Sequence, residues 1–129
     1  MRILTLIVLW LSGLSLLGFG VALLVAPIDV LARIDVTVTG AIADTEIRAF
    51  YGGLEIALGL LVLAWTIRPE RRRDALLLTA VIYGGIGLAR LGSMLATGDD
   101  AGFLRFALAT ELGFLVLAAL LYAKAPPPR

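Results

Sequence analysis

The chain has 129 residues, of which 60% are hydrophobic and only 16% charged, and its mean hydropathy is +1.01. Those values exclude an ordinary water-soluble domain, and the absence of cysteine and histidine removes disulfides, thiolate or imidazole metal sites, His-ligated haem and Cys- or His-based catalysis. The formal net charge of +1, with no basic patch interleaved with aromatics, gives a nucleic-acid partner no footing.

Four apolar stretches, at about residues 3–25, 47–67, 75–96 and 103–123, each approach the roughly 20 residues that a spanning helix needs. They predict one all-α, integral membrane four-helix bundle over residues 1–129. The first stretch follows Met1-Arg2 and ends near Ala26, which has some of the look of a secretory signal. Its apolar run exceeds the roughly 7–15 residues of a signal core, and Pro27 would spoil a cleavage site, so a retained helix is expected. On that helix Ser12, Ser15, Gly18 and Ala22 recur at helical spacing. Helices in lipid associate through small residues, so these four are expected to form its packing face.

The outer connection, residues 27–45, comes next. Pro27 can open a short interfacial helix through about Ala32, and residues 35–40, DVTVTG, then alternate like a strand. A lone strand cannot satisfy its backbone in lipid, so this segment belongs at the outer surface or over the bundle as a lid. The simpler expectation is a solvated connector whose Asp44 or Thr45 caps the second helix. Pro69 ends that helix. The cytoplasmic loop 68–74, RPERRRD, reads as a topology-setting turn, with contact to anionic lipid or protein as the alternative. In the third helix Ala80, Gly84 and Gly87 form a second small-residue face. Tyr51-Gly52-Gly53 is echoed by Tyr83-Gly84-Gly85, too short a match to establish a repeat.

Basic residues set the orientation. Arg2, Arg68, Arg71, Arg72, Arg73, Lys124 and Arg129 fall on one side of a four-span chain, and Arg33, Arg48 and Arg105 on the other. That bias, seven against three, predicts both termini on the cytoplasmic side.

Glu55, Arg90 and Glu111 lie inside the apolar stretches. A charge near a helix centre costs roughly 2.5–3.5 kcal/mol on insertion scales, so such residues face one another or a polar cavity. Counted from the expected helix ends, both glutamates lie about 12 Å below the outer boundary and Arg90 about 9 Å below it. A Glu-Arg-Glu layer is therefore expected. Arg48, Tyr51 and Glu55 are expected to share one helix face, as are Tyr83, Gly87 and Arg90. Two carboxylates and one guanidinium leave excess negative charge, which a proton on one glutamate or an inward Arg48 would balance. A buried network that fixes helix neighbours and a ligand pocket are both consistent with this set.

The pattern of Glu46, Arg48, Tyr51-Gly52-Gly53 and Glu55, then Arg90-Leu91-Gly92 before Gly98, then a mid-helix Glu111, resembles a family of bacterial four-helix membrane proteins known only as domain of unknown function 4345. The likeness spans nearly the whole chain and implies a four-span inner-membrane protein with no assigned activity. It adds topology and no chemistry.

Three functions fit these residues. The first is a non-enzymatic module that binds a membrane lipid, a lipid-like ligand, a second copy or a partner membrane subunit through the polar layer, with Glu46, Arg48 and Tyr51 beside it; it needs no cofactor or metal. The second is a proton-coupled exporter acting as a dimer, similar in size to the small multidrug resistance transporters, whose first helix carries a glutamate that this first helix lacks. The third is a membrane enzyme using Glu55 or Glu111 as general acid or base on a lipidic substrate, with Tyr51 assisting.

Overall fold

The computed structural model describes residues 2–125, so Arg129, counted above in the charge bias, lies outside the described residues. Helix α1 (Arg2–Val25) is followed by the short α2 (Pro27–Ala32). Next come α3 (Ala41–Glu46), a π-helical stretch (Ile47–Gly53) and α4 (Leu54–Thr66) in unbroken succession. A 3-10 turn (Pro69–Arg71) leads into α5 (Arg72–Thr97), and α6 (Gly102–Lys124) closes the chain. The protein is all-helical, with no strand among the described residues. Among the described residues four segments are long and apolar enough to cross a membrane: Arg2–Val25, Ile42–Thr66, Pro69–Thr97 and Gly102–Lys124.

Local chemistry explains the breaks. Pro27 has no N–H to give to the carbonyl one turn back, so α1 stops, and the same residue opens α2 at a position where that N–H is not needed. Asp35 closes α2 in the left-handed region (φ 60), and the Val36 N–H donates to the Leu31 carbonyl at 3.0 Å. This is the six-to-one bond of a helix C-terminus, made here with aspartate, whose short side chain tolerates that conformation. Residues 36–39 then run without regular structure. The alternation of DVTVTG yields no strand because no second strand pairs with it.

Gly40 (φ 99) turns the chain into the second span. That span starts earlier than the expected residue 47, and Asp44 lies inside α3 rather than capping it. The Asp44 carboxylate instead accepts from Arg48 Nε at 2.8 Å. At the far end Arg68 is extended before Pro69, as the proline ring requires, and α4 has already ended at Thr66. Gly98 (φ 75) ends α5, its N–H donating to the Met94 carbonyl at 2.9 Å.

The chain forms two compact units, Leu11–Ala64 and Met1–Trp10 with Trp65–Arg129. In Leu11–Ala64 a glycine seam joins α1 to the second span. A Cβ on Gly20 would sit 2.8 Å from the Ile56 nitrogen, one on Gly59 2.8 Å from the Leu17 nitrogen, and one on Gly52 2.9 Å from the Leu24 Cα. Gly13 would meet Leu63 at 2.7 Å. Backbone therefore lies on backbone, the approach that small residues permit in lipid. The expected face of α1 is only partly used: Ser12 is buried, Ser15 and Gly18 are exposed, and a Cβ on Gly18 would touch nothing.

In the other unit α5 lies against α6. Ala80, Gly84 and Gly87 are buried as expected, with Gly84 facing Leu115 and Gly87 facing the Glu111 stem. The Tyr83 and Phe114 rings pack with centroids 4.6 Å apart, within the range of favourable aromatic pairs.

Candidate polar sites within the spans

Each unit carries one polar site inside its helices. In the α5–α6 pair, Gly87 removes the side chain that would hold α6 away, leaving Glu111 Cβ 3.1 Å from where a Gly87 Cβ would be. One turn further along α5, Arg90 reaches across. Its Nε donates to Glu111 Oε2 at 2.9 Å and Oε1 at 3.1 Å, and its Nη2 donates to Oε1 at 2.7 Å. The carboxylate side chain is 10% exposed and the guanidinium 26%. Two-pronged recognition by a planar guanidinium is the strongest form such a pair takes. Tyr83, expected on the same face as Gly87 and Arg90, is buried and packs at a tilt against Phe114.

In Leu11–Ala64 the site is Glu55. It stands near the middle of its span, because the helix begins at residue 41 rather than 47. Gly20 brings the α1 backbone directly onto its stem, with Glu55 Cβ 3.0 Å from a Gly20 Cβ position. Glu55 Oε2 is buried and has no hydrogen-bond partner among the described residues. The π-helical stretch ends at Gly53, two residues before it. Its wider turns break the three-and-four spacing that was expected to bring Arg48, Tyr51 and Glu55 to one face. Tyr51 is exposed, and Glu46 is exposed as well.

Arg48 is committed elsewhere. Its Nη1 donates to the carbonyls of Leu24 and Val25, the last two residues of α1, while Nε and Nη2 bond the Asp44 carboxylate. Those carbonyls are left without helical donors when Pro27 interrupts the chain, and a cation at a helix C-terminus also answers the negative end of its dipole. Arg48 thus does not supply the inward cation that the charge count invited.

Sequence reasoning missed the glycines that place Glu55. A signal was there: Leu9, Leu16 and Leu23 repeat every seven residues beside Gly13 and Gly20, and Gly52 and Gly59 repeat at the same interval. A seven-residue repeat marks a helix-helix seam.

These features define an all-helical protein of the membrane class, with four apolar helices of spanning length and ionisable side chains within them. The resemblance carried by Glu46 to Glu111 holds: the chain belongs to the family described as Domain of unknown function (DUF4345), which matches residues 4–122. No curated protein and no solved structure matches the chain.

Proposed function

We propose that the chain is a non-enzymatic, four-span module of a bacterial inner membrane that binds a lipid-like ligand through the polar groups within its spans. The observation that carries this reading is Glu55 Oε2, buried and without a donor among the described residues. In hydrocarbon an unsatisfied polar atom costs several kcal/mol, and an intramembrane carboxyl is retained where something recognises it. A ligand headgroup bearing an N–H or O–H supplies the missing donor, and its chain lies along the exposed apolar surface of the span, where Leu54 and Leu61 face outward. Arg90 and Glu111 satisfy one another, so Glu55 is where a ligand gains most.

Native mass spectrometry of protein taken from its own membrane tests the reading. Wild type should carry a bound amphiphile, and Glu55→Leu should remain folded and lose it. A folded Glu55→Leu protein that retains the same mass would sink the assignment. A bound polypeptide in place of the amphiphile would make the site a contact for a partner subunit.

Orientation in this proposal rests on the bias of basic residues. A single cysteine placed at Asp99 should react with an impermeant thiol reagent from the periplasmic side, and one at Arg72 should not. Reversed labelling would turn the protein over.

A further inference from the structure

The turn between α4 and α5 carries chemistry that the Glu55 site does not use. Four arginines, Arg68, Arg71, Arg72 and Arg73, fall within six residues, against Glu70 and Asp74. Arg72 is structural, since its Nε donates to the Thr66 carbonyl at 2.9 Å and closes the end of α4. Arg71 lies 5.8 Å from the Trp65 ring centre and pairs with Asp74 at 3.0 Å, both side chains largely exposed; a pair so open to solvent holds its cation only weakly. Arg73 lies over the Tyr122 ring with its guanidinium carbon 4.1 Å from the centroid, and its Nε is buried without an acceptor. Neither Arg73 nor Arg68 has an acidic partner among the described residues.

We propose that this turn binds the phosphate of anionic phospholipid headgroups, with Arg68 and Arg73 as the principal donors, Tyr122 as the platform beneath Arg73 and Trp65 marking the headgroup level. Trp65 is next to the last residue of the span Ile42–Thr66, and Tyr122 is two residues from the end of Gly102–Lys124. Amphipathic rings at the ends of spans sit where hydrocarbon gives way to headgroups, so guanidinium groups stacked on them lie at the level of lipid phosphates. Stacking occupies only the face of the Arg73 guanidinium, so its two Nη groups, unlike the buried Nε, remain to meet two phosphate oxygens at once. Four cations at the end of a membrane helix are also the charge pattern that draws an anionic leaflet. The site is independent of Glu55.

The full chain in detergent, incubated with phosphatidylglycerol or phosphatidylcholine and weighed by native mass spectrometry, tests the proposal. Wild type should retain phosphatidylglycerol in preference. Arg68→Gln, at an exposed residue whose side chain makes no ion pair among the described residues, should cut that preference about fivefold, and Arg68→Gln with Arg73→Gln by a similar factor again, the effect of one basic side chain at an anionic surface. Arg33→Gln, which removes a cation outside the turn, should leave it unchanged. Equal retention of the two lipids by wild type, or an undiminished preference in folded Arg68→Gln, would overturn the proposal. Displacement of phosphatidylglycerol by excess inorganic phosphate would make the turn a soluble-anion site and overturn the lipid assignment.

Discussion

Substitution of Arg90 by leucine is expected to destabilise the α5–α6 pair by about 3 kcal/mol, read as a lower midpoint of unfolding in mixed detergent micelles. Glu111 accepts three hydrogen bonds from Arg90 and is only 10% exposed. With the guanidinium gone, its carboxylate would remain between two helices held close by Gly87, with no route to water short of parting them. Breaking a buried pair in this way costs roughly 3–5 kcal/mol, and the 26% exposure of Arg90 places the loss at the lower end. Leucine at both Arg90 and Glu111 should recover most of the loss, because apolar side chains of similar volume often replace a buried pair without penalty. Arg90→Lys should fall between, since an ammonium cannot make the two-pronged contact. If Arg90→Leu unfolds with wild type, the pair contributes nothing to holding α5 against α6.

That Arg90 would meet a carboxylate was legible in the sequence, because few other solutions exist for charges inside apolar helices, but which of Glu55 and Glu111 it would meet was not. Long apolar runs likewise announce spanning helices, since the bilayer sets their length. What escaped depends on three dimensions. The seven-residue π-helical stretch changes which way each side chain of Arg48, Tyr51 and Glu55 points, and nothing in a 3.6-residue periodicity reports it. Arg48 was drawn toward a charge layer by its nearness to Glu55 in sequence. In the fold, the carbonyls freed at Leu24 and Val25 by Pro27 lie nearer to hand, and they with Asp44 take four of its five N–H donors. The start of the second span was set five or six residues late because Asp44 and Thr45 are good capping residues. Gly40 does the work of breaking the chain through a backbone conformation that side-chain preferences do not reveal.

Two glycines of α1 and the second span should respond to the same chemical change with opposite signs. Gly59→Ala is expected to destabilise the protein and Gly59→Val to do so by about 3 kcal/mol, the upper part of the range for overpacking a tight contact. The new Cβ at position 59 would lie 2.8 Å from the Leu17 nitrogen and 2.9 Å from the Gly13 carbonyl oxygen. Both are main-chain atoms of α1, so no rotamer change relieves the clash and the helices must separate. Separation also opens the seam at Gly20 and Gly52, where the opposing backbones are as close, and so loosens the contact that lays α1 against the stem of Glu55. Gly18→Ala, by contrast, adds a Cβ that touches nothing within 4 Å and removes a residue costing roughly 1 kcal/mol in a helix interior. It should raise the unfolding midpoint, although residue 18 belongs to the face that small-residue spacing alone selects for packing. Measured in the same micelles, the two alanine variants should lie on either side of wild type. A Gly59→Ala protein as stable as Gly18→Ala would mean that α1 and the second span do not approach to backbone contact, and the placement of Glu55 beneath Gly20 would go with it.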